Sequence, residues 1–160
     1  QAIVDACRED TVLVAVMAVN NETGAIYPTS LVSAAMRRAC PDAVLHVDAT
    51  QAFMKIPMTP KTLGADMITV SSHKIEGPKG VGALWVSDAV IKNRGLAAVT
   101  LGGGQEEGLR SGTENVPGIA AFATACRLGK AEIDARIAAV SALRRHNRHI
   151  HRRSDRNRFA

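Results

Sequence analysis

Aromatic residues are scarce in this chain of 160 residues, where one Trp, one Tyr and three Phe make up 3% of the sequence. So few rings give little support to a surface on which the bases of a single-stranded nucleic acid could stack. Apolar residues still account for 46% of the chain, which is enough for the core of one domain of ordinary size. That core must be built from Ala, Val, Ile, Leu and Met.

Long apolar runs are absent, since none approaches the roughly 20 residues that a membrane-spanning helix needs. The first residues also lack the basic lead-in and apolar stretch of a signal peptide.

Cysteines are few, and Cys7, Cys40 and Cys126 have neither metal-ligand nor redox spacing. We therefore expect a cytoplasmic protein with reduced thiols and no metal site. Because the chain opens on Gln1 rather than Met, we also expect an internal piece of a longer protein.

Positive charge is concentrated at one end of the chain. Residues 144–160 contain seven Arg and one Asp, so the net charge of +5 leaves residues 1–143 close to neutral. This basic tail has little helical pattern, and we predict that it is disordered and separate from a partial domain formed by residues 1–143. Clustered arginines attract phosphate backbones, so nucleic-acid binding is one alternative function. His146, His149 and His151 could be considered as metal ligands, but nothing in the sequence fixes their geometry.

Short apolar runs separated by polar turns predict a sheet of mostly parallel strands. Helical connections make the first three strands parallel, whereas a short connection makes the fourth antiparallel. The first run is continuously apolar, which is typical of a strand buried on both faces. The predicted strands are 11–19, 43–47, 67–70 and 83–86. The predicted helices are 29–40 and 117–133, and a turn or short helix is predicted at 59–63. The fold class is α/β, with a mostly parallel mixed sheet flanked by helices.

Polar residues follow each of the first three predicted strands, in the segments Asn20-Asn21, 48–51 and 71–74. The carboxyl ends of parallel strands meet at one edge of a sheet, and ligands bind there. We therefore expect these segments to converge on one site.

Lys74 and Asp48 are the two residues at that edge whose side chains are best suited to take part in a reaction. A lysine whose pKa is lowered by its surroundings is a nucleophilic amine that forms Schiff bases with carbonyl compounds. A buried carboxylate can hold the ring nitrogen of pyridoxal phosphate protonated. Gln51 follows three residues after Asp48 and could reach the same region. The alternatives are a solvated surface lysine and an aspartate that caps a local turn.

Several hydroxyl and imidazole groups could bind a phosphate. Ser71, Ser72, His73 and the later Thr113 are hydrogen-bond donors, and the glycines at 102–104 allow backbone N–H groups to approach an anion closely. Alone, the glycine run more often marks a flexible turn.

Four segments carry a more specific pattern than any of these residues does alone. They are VNNETG (19–24), HVDATQ (46–51), SSHKIEGPKGVGAL (71–84), and GGGQEE followed by RSGTEN (102–115). Together they resemble the class V aminotransferase family and, within it, the cysteine desulfurases of the NifS and IscS type. The resemblance covers roughly residues 10 to 135. It implies part of the large domain of a pyridoxal-phosphate-dependent transferase of fold type I.

The resemblance also implies a role for each matched position near the cofactor ring. Lys74 would carry pyridoxal phosphate as a Schiff base and then move protons on the bound amino acid. Asp48 would pair with the ring nitrogen, and Gln51 would hydrogen-bond the phenolic oxygen. Asn21 would lie beside that oxygen and the substrate carboxylate.

For the phosphate, the resemblance implies binding by Ser71 and His73, with the backbone of Ser72 nearby. Thr113 would reach the phosphate of the partner subunit, so that a homodimer completes each site.

The implied reaction converts L-cysteine to L-alanine and passes the sulfur to an enzyme persulfide, for iron–sulfur cluster or thio-cofactor synthesis through sulfur-acceptor proteins. It needs a cysteine nucleophile on a later loop, which none of the three cysteines provides, so we expect this chain to be inactive alone.

The alternatives are selenocysteine lyase, another class V aminotransferase, or a non-enzymatic piece that docks on an intact subunit. The basic tail departs from the resemblance.

Overall fold

Four strands form one sheet in which each strand pairs with the next along the chain. The computed structural model describes the backbone of residues 2–93 and 95–156 and the side chains up to residue 146. The strands are β1 (Leu13–Met17), β2 (Val44–Asp48), β3 (Met67–Ser71) and β4 (Gly82–Val86). The helices are α1 (Ala2–Ala6), α2 (Thr29–Ala39), α3 (Pro60–Leu63), α4 (Asp88–Lys92) and α5 (Val116–Arg156). Two 3-10 turns lie at Ser72–Ile75 and Glu106–Gly108.

The strand directions confirm the predicted α/β class. β1, β2 and β3 run parallel, and β4 is antiparallel to β3. Only ten residues separate β3 from β4, which is too short for the crossover that a parallel neighbour would require. The predicted helix over 29–40 is also confirmed within one residue as α2.

The expectation that the first strand is buried on both faces is wrong. Along β1, Val14 is buried whereas Leu13 and Ala15 are exposed. The strand lies at the edge of the sheet, and side chains alternate between its two faces. Its apolar run therefore meets the core on one face only.

The core lies on the face of the sheet that carries Val14, Leu45, Val47 and Ile68. In the strand pairing, Val14 is opposite Leu45, and Val47 is opposite Ile68, so these side chains point to the same side. Met36 of α2 belongs to the same cluster and is fully buried. The other face carries His46, Asp48 and Thr69, which are half-buried. The apolar and polar sides of the sheet are thus separated by the two-residue period of the strands.

Helix α5 is longer than predicted. The sequence pattern indicated an end near residue 133, but the helical backbone continues to Arg156. No Gly or Pro follows Gly129, and Ala and Arg, which favour helices, make up half of residues 130–145. The side chains beyond residue 146 lie outside the described residues, and they include His149, His151 and most of the arginines on which the alternatives of nucleic-acid and metal binding depend. Arg144, Arg145 and His146 are described and are exposed. The backbone of residues 144–156 is thus helical rather than disordered, whereas the predicted domain boundary at 143/144 stays a prediction.

None of the helices in the described part of the chain is long and apolar enough to cross a bilayer. Across the same residues, no group of three or more His, Cys, Asp or Glu could hold a metal ion. The three cysteines are free thiols.

Asp66, just before β3, links α2 to the start of β2. Its Oδ2 accepts a hydrogen bond from the backbone N–H of Leu45 at 2.7 Å and forms an ion pair with the guanidinium of Arg37 on α2. Arg37 Nη1 also donates to the carbonyl of Ala43 at 2.7 Å. Only 21% of the Asp66 side chain is exposed, so water cannot easily replace these partners.

Replacing Asp66 by asparagine should therefore lower the free energy of unfolding by about 1–3 kcal/mol, because a half-buried guanidinium loses its counter-ion. Urea unfolding followed by circular dichroism measures the change. Asp10→Asn is the matched control, since the Arg8–Asp10 pair has a 69% exposed carboxylate and should contribute little. Equal losses in the two variants would contradict the assignment.

Candidate active site

The carboxyl ends of the three parallel strands lie side by side. Met17 is opposite Asp48, and Asp48 is opposite Thr69. The pairing continues past the strand ends, since the N–H of Ala18 donates to the carbonyl of Asp48 and the N–H of Ala49 donates to the carbonyl of Thr69, both at 2.9 Å. Asp48 is therefore fixed next to β3, whose chain leads directly into residues 71–74, as the sequence predicted.

Asp48 presents a partly free carboxylate at this edge. Its Oδ1 accepts the backbone N–H of Thr50 at 2.9 Å, which is the turn-capping contact considered from the sequence. No described residue hydrogen-bonds its other oxygen. Neighbouring side chains on the same face pair with each other, with His46 Nε2 at 3.1 Å from Thr69 Oγ1. One carboxylate oxygen thus shapes the turn and the other remains available to a ligand.

Lys74 lies on a 3-10 turn that is anchored at both ends. The N–H of Ser72 donates to the carbonyl of Val81, and the N–H of Gly77 donates to the carbonyl of Ser72, both at 3.1 Å. Ser72 and Ile75 are buried, three residues apart on one side of the turn. His73 and Lys74 consequently face outward and are exposed. Among the described residues, the Lys74 amine has no hydrogen bond or ion pair.

Ser71 and His73 form a small polar pair beside the lysine. Ser71 Oγ lies 2.8 Å from His73 Nδ1, and the tautomer of the imidazole decides which atom donates. A hydroxyl and an imidazole held together at the start of a turn form a donor set that suits an anion. Ser72 differs from them, because its hydroxyl is fully buried and has no hydrogen-bond partner in the described structure.

Lys55 belongs to this edge although the sequence interpretation missed it. Its Nζ donates to Oε1 of Gln51, four residues earlier in the chain, at 3.0 Å. Burial, and then the positive charge of Lys74, lower the pKa of Lys55 below its ordinary value of 10.5. The two amines are therefore close enough to repel each other. The four-residue spacing from Gln51 was the available signal, and it becomes meaningful only once Lys74 is known to lie nearby.

Removing the Lys74 charge should raise the pKa of Lys55. We expect Lys74→Gln to give only a partial return, because burial is the larger cause of the depression. The same depression makes the chain more stable as pH rises between the lowered pKa and 10.5, since the unfolded chain binds the extra proton in that interval. An NMR titration of the lysine ε-carbons measures the shift. Lys79→Gln serves as control, and an equal effect there would contradict the proximity.

Asn21 and Thr113 are not joined to this cluster by hydrogen bonds of the described residues. In the turn after β1 the side chain that organises the backbone is Asn20, whose Oδ1 accepts the N–H groups of Glu22 at 3.0 Å and Thr23 at 2.8 Å. Asn21 is exposed beside it. Thr113 is exposed in the loop before α5. The roles implied for both residues stay predictions.

Cys40 and Cys126 have the properties of unreactive thiols. Burial, with a contribution from a hydrogen bond to Cys7, raises the pKa of Cys40, and burial raises the pKa of Cys126. A raised pKa keeps a thiol protonated at neutral pH, whereas the thiolate is the nucleophile. Neither residue is suited to accept sulfur.

The residues present fit pyridoxal phosphate. An exposed amine without a counter-ion can meet an aldehyde, and a carboxylate with a free oxygen can face a ring nitrogen. The Ser71–His73 pair offers donors for a phosphate. Within the described part of the chain only the oxygen of the Gln51 amide is engaged, by Lys55, so its NH₂ group can donate to a ligand.

Comparison with known proteins assigns the family. The model for aminotransferase class-V matches residues 1–153. The chain belongs to the class-V aminotransferase family. Its relatives include cysteine desulfurase IscS 1 of Archaeoglobus fulgidus, which is 50% identical over 121 residues, covering 76% of this chain and 30% of the relative.

Solved structures of this family share the fold. A NifS-like protein superposes with a TM-score of 0.75 at 39% identity, covering 84% of this chain and 36% of the other. SspA in complex with cysteine gives a TM-score of 0.72 at 38% identity, covering 79% and 35%. The class-V chain thus spans about a third of the length of the proteins that it matches, and its match to the family model reaches into the basic tail.

Proposed function

We propose that this chain is part of a pyridoxal-phosphate-dependent cysteine desulfurase, which converts L-cysteine to L-alanine and transfers the sulfur to an enzyme persulfide. The observation that carries the proposal is the pairing of Asp48 with Thr69, which sets a partly free carboxylate one strand away from the turn that exposes Lys74. A carboxylate and an amine at the carboxyl edge of a sheet are the two groups that this cofactor requires from its protein.

The residues at the edge would divide the binding of the cofactor among them. The cofactor, when bound, supplies an electron sink for the carbanion formed from the amino acid. Asp48 would hold the ring nitrogen, Gln51 would donate its amide to the phenolic oxygen, and Asn21 would lie beside that oxygen. Lys74 would form the covalent link and afterwards hold and return the proton of the substrate.

The phosphate end of the site would use both subunits of a homodimer. Ser71, His73 and the backbone of Ser72 would bind the phosphate of their own subunit. Thr113 would bind the phosphate of the partner, which agrees with its exposure in the loop before α5.

SspA, one of the solved relatives, is in complex with cysteine, and this favours cysteine as the substrate. Selenocysteine lyase and other class-V aminotransferases are the alternatives within the family. The persulfide step requires a thiolate. Burial raises the pKa values of Cys40 and Cys126, and Cys7 precedes β1, at the end of the strand opposite to the candidate site, so we propose that the thiolate comes from outside this chain. We further propose a cytoplasmic location, with sulfur-acceptor proteins for iron–sulfur cluster synthesis as partners.

Titration of the purified chain with pyridoxal phosphate, followed by absorption in the near-visible range, tests the proposal. We expect a saturable band from the lysine-bound cofactor. Asp48→Asn should leave the chain folded and weaken the binding at least tenfold, which corresponds to about 1.4 kcal/mol, because a charge-assisted hydrogen bond is lost. Circular dichroism checks the fold. The absence of any saturable band from the folded wild-type chain would refute the proposal.

A further inference from the structure

The turn that carries Lys74 is joined to α5 by an ion pair between residues sixty positions apart. Arg136 Nη1 donates to Glu76 Oε1 at 2.8 Å, and Nη2 donates to Glu76 Oε2 at 3.2 Å. Arg136 also binds Glu132 one helical turn earlier, with Nε at 3.0 Å from Oε2. The guanidinium is thereby held between two carboxylates, and both oxygens of Glu76 are engaged.

Glu76 directly follows the 3-10 turn Ser72–Ile75, the lysine turn, and ends it. Its backbone has φ = 67°, a left-handed conformation that costs energy for any residue with a side chain. Its N–H donates to the carbonyl of Ser72, which closes the turn. The next residue, Gly77, packs so closely on α5 that an added Cβ would lie 3.3 Å from the Cβ of Ala125. The ion pair therefore lies where the turn meets the long helix.

The exposure of the pair separates two possible roles. Glu76 is 75% and Arg136 is 44% exposed, and exposed ion pairs contribute little to global stability. Planar bidentate contacts do, however, fix the direction of both side chains. A surface pair without a role would leave the turn unchanged when it is removed. Removal of a positioning pair would loosen the turn while the melting temperature stays nearly constant.

We propose that Arg136 is a positioning residue for Lys74, which holds the lysine turn on α5 by binding the carboxylate of Glu76. The docking itself follows from contacts within this chain, whereas its effect on the cofactor rests on the proposed function. Lys74 is two residues from Glu76, so movement of this end of the turn displaces the amine directly.

Hydrogen exchange tests the docking without any cofactor. We expect Arg136→Gln and Glu76→Gln each to speed exchange of the Glu76 and Gly77 amides by about three- to tenfold, because both amides close the turn on Ser72. The double variant should exchange no faster than either single variant. Arg127→Gln is the matched control, as an exposed arginine of α5 without an ion pair among the described residues. Unchanged exchange, or additive effects, would overturn the docking.

Cofactor binding tests the positioning. Arg136→Gln should weaken the affinity for pyridoxal phosphate several-fold, and Arg136→Lys should restore part of it, because lysine keeps the charge but loses the bidentate fork. Faster exchange with unchanged affinity would overturn the positioning role. A wild-type chain that binds no cofactor would refute the proposed function instead, and the exchange cycle would still decide whether Arg136 holds the turn.

Discussion

Lys74→Ala is expected to lose covalent attachment of pyridoxal phosphate completely. The aldehyde condenses with a neutral amine, and Lys74 is exposed with no ion pair or hydrogen bond among the described residues. The wild-type chain, incubated with the cofactor and then reduced with borohydride, should carry one cofactor per chain. Mass spectrometry of the digested chain should place it on the peptide that contains Lys74.

The sharpest alternative acceptor is Lys55, whose lowered pKa makes its amine more nucleophilic at neutral pH. Lys55→Met distinguishes the two amines, because the label should remain on Lys74 in that variant. Lys79→Met controls for general surface labelling. A wild-type label found on Lys55 would contradict the assignment of Lys74, even if the total incorporation were one per chain.

Gly77→Ala is expected to lower the free energy of unfolding by about 3 kcal/mol, the upper part of the range for overpacked sites. A Cβ added at Gly77 would lie 2.0 Å from Ser72 Oγ and 3.1 Å from the Ser72 carbonyl oxygen. No shift of the buried serine can relieve both contacts without moving the lysine turn. For a chain of this size the loss corresponds to a fall of roughly 6–12 °C in melting temperature. Differential scanning calorimetry measures it.

A cycle with Ser72→Ala identifies the cause of that loss. The Ser72 hydroxyl is buried without a partner, so its removal alone should be neutral or stabilising by up to about 1 kcal/mol. In the double variant, Gly77→Ala should cost less, although the contact with the carbonyl oxygen remains. Gly95→Ala is the matched control, because its nearest neighbour would be an ordinary 3.4 Å away. Equal costs of Gly77→Ala in the two backgrounds would contradict the steric explanation.

The sheet and its polar edge could be predicted because their signals are local. Apolar runs that end at Asp48 and Ser71 marked the strand ends, and the ten-residue connection made β4 antiparallel. Once the strands were known to be parallel, the edge of the sheet that carries Asp48 and the turn of Lys74 followed from topology alone. The family pattern added roles for Gln51 and Thr113, which stay predictions.

The tertiary structure alone determined the contacts that surround Lys74. Neither the approach of Lys55 to Lys74 nor the pairing of Arg136 with Glu76 has a local signal, since one depends on the turn after β2 and the other spans sixty residues. The exposure of one face of β1 could not be predicted from the sequence either, because an apolar run does not show whether a second layer of structure covers that face. Sequence patterns record which residues alternate or recur within a few positions of one another. Which side chains then meet is decided by how distant segments pack, and that packing sets the charge and the space around the lysine.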